Sequence, residues 1–142
     1  MKKALALEQM DALIKWGVPT EKANRGYERS LIPVEDLAEH PLNVKPGHPG
    51  YVWSDWKPTK FYRKWDNNPR VESRPAFNME NLLDFLPTKV DVNFTLQMGV
   101  DRDGSWYARY HTGLNAEADN LLDALYKLLV LCIEQKKCAY GK

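Results

Sequence analysis

Apolar and polar residues alternate along residues 90–100. The apolar positions fall on one side of an extended chain: Val90, Val92, Phe94, Leu96, Met98 and Val100. A period of two predicts a β-strand with one face in a core and the other in water. Residues 101–104 have the composition of a tight turn, so we predict that 105–111 returns as the second strand of an antiparallel hairpin.

Three other stretches repeat apolar residues with the period of an α-helix. We predict helices over about residues 4–16, 78–86 and 117–137, the last with one long apolar stripe: Leu121, Leu122, Leu125, Leu128, Leu129, Cys132 and Ile133. Because an isolated hairpin is marginal in water, its apolar face needs a helical partner. We therefore expect an α+β fold in which the hairpin or a small sheet packs on two or more helices, chiefly on the last.

Residues 41–76 differ in composition from the rest of the chain. They contain six of the nine prolines, which disfavour long helices and strands. They also contain a concentration of aromatic residues between 51 and 65 that is unusual for a solvated linker. We interpret the chain as a single domain, 1–142, with an irregular structured insertion at about 41–76, and we expect a further strand near 27–32 or within 51–65.

Composition and charge limit the classes of protein to consider, but they do not indicate a binding partner. The chain has 142 residues and a formal net charge of +1, so its overall charge does not point to a polyanion or a membrane surface. No apolar run approaches the roughly 18 residues that a membrane span requires. Glu8 and Gln9 interrupt the apolar start, so we expect a cytoplasmic protein without a signal peptide. Cys132 and Cys138 are expected to be free thiols, one buried and one at the surface.

Three helix-forming stretches resemble those of a known group of proteins. Residues 7–18 (LEQMDALIKWGV), followed by Lys22 and Ala23, are similar to the opening helix of small uncharacterised proteins carried by bacterial prophages and mobile elements. Residues 79–87 (MENLLDFLP) and 120–129 (NLLDALYKLL) are similar to two further helices of the same proteins. The resemblance implies a phage or mobile-element origin and, by analogy of fold alone, a small α/β sandwich. It implies no catalytic residue.

The segment 51–65 is the strongest candidate for a binding surface. It interleaves aromatic and basic side chains, and Arg109 on the predicted return strand joins the candidate set: Tyr51, Trp53, Trp56, Lys57, Lys60, Arg63, Lys64, Trp65 and Arg109. Aromatic rings stack on unpaired bases while cations follow the phosphates, so this composition suits a single-stranded nucleic acid. Trp, Tyr and Arg are also common anchors of protein interfaces. A third interpretation is that the rings form the core of the loop itself.

The sequence has no recognisable catalytic or metal-binding pattern. His40, His48 and His111 are far apart, and no paired-cysteine or paired-histidine ligand spacing occurs. Phosphate-binding glycine loops and nucleophile-elbow motifs are also missing. We therefore expect no metal, cofactor or enzymatic activity, and we favour a small accessory protein that binds another protein. The alternatives are a single-stranded nucleic-acid-binding module that uses 51–65, and an enzyme of unrecognised type.

Overall fold

A computed structural model describes residues 2–33, 50–62 and 68–138. The chain forms two compact units, one from Met1–Ala23 with Ala76–Lys142 and one from Asn24–Pro75. In chain order the elements are α1 (Leu7–Lys15), β1 (Arg25–Pro33), β2 (Tyr51–Trp53), β3 (Lys57–Thr59), β4 (Val71–Ala76), α2 (Met79–Phe85), β5 (Lys89–Val90), β6 (Phe94–Thr95), β7 (Gln97–Val100), β8 (Trp106–His111), β9 (Leu114–Ala118) and α3 (Leu121–Glu134). Small antiparallel sheets and helices confirm the predicted α+β class.

The first unit is built on the antiparallel sheet β7–β8–β9. The side chains of Ala108, Tyr110, Leu114 and Ala116 are buried. α3 packs along β8 and β9. Its buried residues are Leu122, Ala124, Leu125, Leu128, Leu129, Cys132 and Ile133. Because full burial of one large aliphatic side chain contributes about 1.5–3 kcal/mol, this helix–sheet contact supplies a large part of the stability of the unit.

Asparagine caps fix where two of the helices begin. Asn78 Oδ1 accepts a hydrogen bond from Asn81 N–H over 3.0 Å ahead of α2, and Asn120 Oδ1 accepts from Asp123 N–H over 2.9 Å ahead of α3. The first cap agrees with the helix predicted over 78–86. Because α3 begins only after Asn120, the helix predicted over 117–137 is shorter in the structure, Leu121–Glu134.

The residues just before the second cap form a strand that the sequence reading missed. β9 pairs with β8, with Ala108 opposite Ala116 and Tyr107 opposite Glu117. Its alternation is short and relies on alanines, which are depleted in strands, so the sequence pattern does not separate this strand from the helix that follows. The predicted hairpin is therefore a three-stranded sheet.

The strand predicted over residues 90–100 is not continuous. The structure divides this stretch into β5, β6 and β7, with a turn at 91–93 and a break at Leu96. In the turn, Asp91 and Val92 take positive φ angles of 47° and 74°. These angles lie outside the β region, and they are unusual for a β-branched residue, so the chain must reverse here.

The burial expected for this stretch is also wrong. Val90 is buried, but four of the other apolar residues are exposed: Val92, Phe94, Met98 and Val100. The physical reason is the position of the helix, which packs on β8 and β9 rather than on β7. Alternation correctly shows which residues of β7 share a face, but α3 does not cover that face.

The second unit is a small antiparallel sheet around β1. β2 and β3 pair with successive parts of this strand, with Leu31 opposite Trp53 and Gly26 opposite Thr59, and β4 also pairs with it. A Cβ atom on Gly26 would lie 2.3 Å from the carbonyl oxygen of Arg74, so the close approach of these chains requires glycine.

These strands confirm the expectation of additional strands near 27–32 and within 51–65. Residues 34–49 and 63–67 lie outside the described part of the chain. The single domain with an insertion at about 41–76 therefore stays a prediction.

Candidate binding surfaces

Within the described residues, β7 has a strand partner on one side only, because the sheet order is β7–β8–β9. We call Gln97–Val100 the β7 edge. Met98 lies opposite the buried Ala108, and Val100 lies opposite Trp106. Since Met98 is 42% exposed and Val100 is 52% exposed, the apolar face of the sheet continues into solvent at this edge. An apolar row on an unpaired edge invites the addition of another strand.

The hydrogen-bond phase of the hairpin turns the main chain of Met98 and Val100 outward. Asp101 N–H donates to Ser105 O over 2.8 Å, so Asp101 and Ser105 form a hydrogen-bonded pair of the ladder. Because bonded and non-bonded pairs alternate in an antiparallel ladder, the odd-numbered residues of β7 bond to β8 and the even-numbered ones face away. The same two residues therefore present outward main-chain groups and exposed apolar side chains.

The opposite face of the β7–β8 pair is polar, and it carries Arg109 of β8 from the predicted site. The Arg109 guanidinium lies 4.7 Å from the centre of the Tyr107 ring, and its Nε donates to Gln97 Oε1 over 3.4 Å. A Cβ atom on Gly99 would lie 2.7 Å from the Tyr107 hydroxyl oxygen, so the ring lies across this glycine. β7 thus has one polar face, on which the Tyr107 ring lies across Gly99, and one apolar face open to solvent.

A group of polar side chains holds the strained turn that precedes β7. Asp91 Oδ1 accepts a hydrogen bond from Lys137 Nζ, and Asp91 Oδ2 lies 2.9 Å from His111 Nε2. Gly113 N–H donates to His111 Nδ1 over 3.0 Å, so in the neutral ring Nε2 carries the proton and donates to Asp91. Phe94 meets the His111 ring edge-on, with centroids 4.8 Å apart. We call Asp91, His111, Lys137 and Phe94 the Asp91 cluster.

The electrostatics of this cluster suit a structural clasp. Hydrogen bonds from Lys137 and from His111 lower the pKa of Asp91 below its ordinary value. A carboxylate with a lowered pKa is a poorer general base at neutral pH than one whose pKa is raised toward 7. Asp91 therefore remains ionised and anchors the turn to β8 and to the residues after α3.

In the second unit, Arg29 stands beside two of the predicted aromatic residues. Its guanidinium carbon lies 4.6 Å from the centre of the Trp53 ring and 4.8 Å from the centre of the Trp56 ring. Arg29 Nε also donates to Glu72 Oε2 over 2.8 Å, and the Arg74 guanidinium lies 5.4 Å from the Trp56 ring. We call these five side chains the aromatic face. Guanidinium groups already lie over both indole rings, which is a cation–π arrangement.

The structure brings only part of the predicted 51–65 surface together. Trp53 and Trp56 are half-buried and share Arg29, whereas Lys57 and Lys60 are exposed. Tyr51 is only 7% exposed and clusters with Leu31, so it contributes to the interior of the unit. Arg109 belongs to the other unit. The remaining candidates lie outside the described residues: Arg63, Lys64 and Trp65.

Other chemistry finds little support in the described ranges 2–33, 50–62 and 68–138. No group of three or more His, Cys, Asp or Glu side chains there is placed to hold a metal ion. No helix there is long and apolar enough to cross a membrane. Cys132 and Cys138 are free thiols, as predicted. Burial raises the pKa of the Cys132 thiol to about 12, so this sulfur stays protonated and unreactive at neutral pH.

Sequence reasoning missed the β7 edge as a site, although one signal for it was present. A helix is about 10 Å wide with its side chains and strands lie about 4.8 Å apart, so one helix covers about two strands. Recognising β9 as a strand would have left β7 as the uncovered one.

Three features of the described chain therefore bear on function: the β7 edge, the Asp91 cluster and the aromatic face. Each is defined by contacts within one unit, and each suggests a different chemistry. The assignment rests on these contacts alone, because no family model, no curated protein and no solved structure matches the chain.

Proposed function

We propose that this protein binds another protein by adding one of its partner's strands to the β7 edge. The observation that carries the proposal is that Met98 and Val100 combine outward main-chain groups with exposed apolar side chains. In strand addition, main-chain hydrogen bonds supply affinity and alternate side chains supply specificity. The expected partner segment is extended, with apolar residues at alternate positions.

The size of the β7 edge sets the expected strength of binding. Met98 and Val100 are each about half exposed, so covering them contributes roughly 1 kcal/mol apiece. Each new main-chain hydrogen bond contributes about 1 kcal/mol net. Because association costs several kcal/mol of lost freedom, these contributions support only a weak, transient complex.

A binding role agrees with the state of the titratable groups in the first unit. The pKa of Asp91 is lowered by its hydrogen bonds and the pKa of Cys132 is raised by burial. These shifts leave the carboxylate a weak base and the thiol a weak nucleophile. The proposal is thus of a non-enzymatic accessory protein. The resemblance of its helices to prophage proteins adds the proposal that it serves a phage or mobile element in the bacterial cytoplasm.

The alternative is binding of single-stranded nucleic acid by the aromatic face. In its favour, Trp53 and Trp56 lie together with Arg29 and Arg74. The same contacts count against it, because a base that stacks on these rings competes with guanidinium groups already placed there. We therefore rank it second.

Val100→Pro separates the role of the edge from the stability of the fold. Proline removes the outward N–H that an added strand needs, whereas the ladder between β7 and β8 does not use this group. The preceding residue, Gly99, accommodates the restricted conformation before proline. Val100→Thr is the matched control, since it keeps the N–H and the β-branched shape.

The probe is a display library of random linear peptides, selected on the wild-type protein and titrated against each variant. We expect binders with apolar residues at alternate positions, a loss of roughly tenfold or more in affinity for Val100→Pro and a smaller loss for Val100→Thr. Circular dichroism checks the fold, and Met98→Lys replaces the proline variant should that variant unfold. A library without binders, or binders indifferent to these changes, would contradict the proposal.

A further inference from the structure

An open groove of about 430 Å³ lies between β9 and α3, at the opposite edge of the sheet from β7. Ala116 lines it from β9, and Val130 and Leu131 line it from α3. Lys127 and Glu134 also line it and are exposed. The groove therefore combines an apolar lining with one positive and one negative side chain on the same helix.

Two outward carbonyls, one in β9 and one just before it, are capped by side chains in and just after α3. Lys127 Nζ donates to Glu117 O and Gln135 Nε2 donates to Gly113 O, each over 3.0 Å. Main-chain groups that point to one edge of a strand recur at every second residue, so Asn115 faces outward between the two caps. Side-chain hydrogen bonds of this kind satisfy the main-chain carbonyls of an edge strand in the isolated chain, and another strand can replace them.

The edge of β9 is complementary to itself. A two-fold axis through Ala116 places Asn115 of one copy opposite Glu117 of a second copy, in antiparallel register. Glu117 O then accepts from Asn115 N–H of the second copy and no longer needs Lys127. The side chains that meet are an amide and a carboxylate, which hydrogen-bond and do not repel.

The charged side chains on the groove side of α3 are also complementary to those of a second, antiparallel copy of the helix. Lys127 and Glu134 are equally far along the chain from the midpoint between Val130 and Leu131. An antiparallel copy of the helix therefore brings Lys127 of each copy to Glu134 of the other. Ala116 lines the same groove as Val130 and Leu131, which is what a single two-fold axis through the strand and the helix requires.

We propose that the chain forms a two-fold symmetric homodimer through β9 and α3, with a second copy as the occupant of the groove. Charge complementarity selects this occupant, because self-association pairs opposite charges twice and apolar residues at the centre. The inference is independent of the proposed function, which uses the other edge of the sheet. A dimer of this kind leaves two β7 edges exposed and therefore binds bivalently.

Charge reversal tests the dimer on the full chain. K127E and E134K each place like charges at both contacts, so each variant alone is expected to dimerise roughly tenfold more weakly than the wild type. An equimolar mixture of the two variants pairs opposite charges at both contacts, and K127E/E134K does the same within one chain. We expect dimerisation to return in both cases. Lys89→Glu, an exposed change outside the groove, is the control for net charge.

Sedimentation equilibrium over a concentration series measures the association, and thermal melts check each fold. Recovery in the mixture cannot come from improved helix stability, because neither variant chain changes on mixing. A wild type that stays monomeric up to roughly 1 mM overturns the proposal. So does a dimer that the single variants leave intact, or a mixture that fails to associate better than its components.

Discussion

The two edges of the β7–β8–β9 sheet solve the problem of an unpaired strand in different ways. At the β9 edge, Lys127 of α3 caps the carbonyl of Glu117, and Gln135 just after α3 caps that of Gly113. On β7, the residues that face outward are Met98 and Val100, which also expose apolar side chains. Capping protects the first edge in a single chain, whereas the second edge is the one for which we propose a partner strand.

This difference follows from the width of one helix. α3 lies on β8 and β9, and its polar side chains reach over the β9 side. Within the described residues, the main contacts of α3 with this sheet are to β8 and β9. The apolar side chains of β8 and β9 under α3 are therefore core, whereas those of β7 on the same face stay exposed.

The largest expected effect is the difference in stability lost when a side chain under the helix–sheet contact or one on β7 is truncated. Leu128→Ala removes a fully buried side chain of α3 and should cost about 2–5 kcal/mol of the free energy of unfolding. Met98→Ala truncates an exposed side chain and should cost less than about 1 kcal/mol. Urea unfolding of both variants measures this. Equal losses would show that β7 is part of the core.

A smaller effect is expected at the turn that leads into β7. The folded-state pKa of Asp91 is lowered, so its ionised form stabilises the folded state above the ordinary value of 3.8. That contribution is lost as the pH falls through the lowered folded-state pKa. Asp91→Asn should therefore be less stable than the wild type at neutral pH, with the difference vanishing in acid.

Thermal melts of the two proteins at a series of pH values check this dependence. Glu80→Gln, at an exposed position on α2, is the control for loss of a carboxylate. A difference between wild type and Asp91→Asn that persists unchanged into strong acid would show that the charge of Asp91 does not clasp the turn.

The smallest effect is expected from nucleic acid. Labelled single-stranded DNA and RNA, titrated at low salt and at roughly 200 mM salt, should show little binding at micromolar protein, because guanidinium groups lie over the rings of Trp53 and Trp56. Strong binding that falls steeply with salt and is lost in Trp56→Ala would favour the aromatic face over the β7 edge as the binding surface.

Local sequence signals are sufficient to predict elements whose ends are marked by capping or turn residues. The helix predicted over 78–86 is α2, and the turn predicted at 101–104 joins β7 to β8. The break at Asp91 and Val92 was hidden because hydrophobic alternation carries no information about φ. Which strand the helix covers is a tertiary choice, so the exposure of the β7 edge was hidden for the same reason.

The candidate site was harder to predict than the fold. Aromatic and basic residues cluster in 51–65, but burial of Tyr51 and the stacking of Arg29 on two rings depend on β1 and β4, which lie outside that segment. Composition shows that aromatic and basic residues are concentrated in this segment. It does not show whether the rings stack on cations of the protein itself or are free to bind a ligand.

Amide hydrogen exchange tests the central claim most directly. Exchange is measured by NMR for the protein with and without a library-selected peptide, at a concentration below that of dimerisation. The account predicts that the amides of Met98 and Val100 exchange more slowly in the complex, while those of Asn115 and Glu117 do not change. Slowing at the β9 residues alone, or at neither edge, would contradict it.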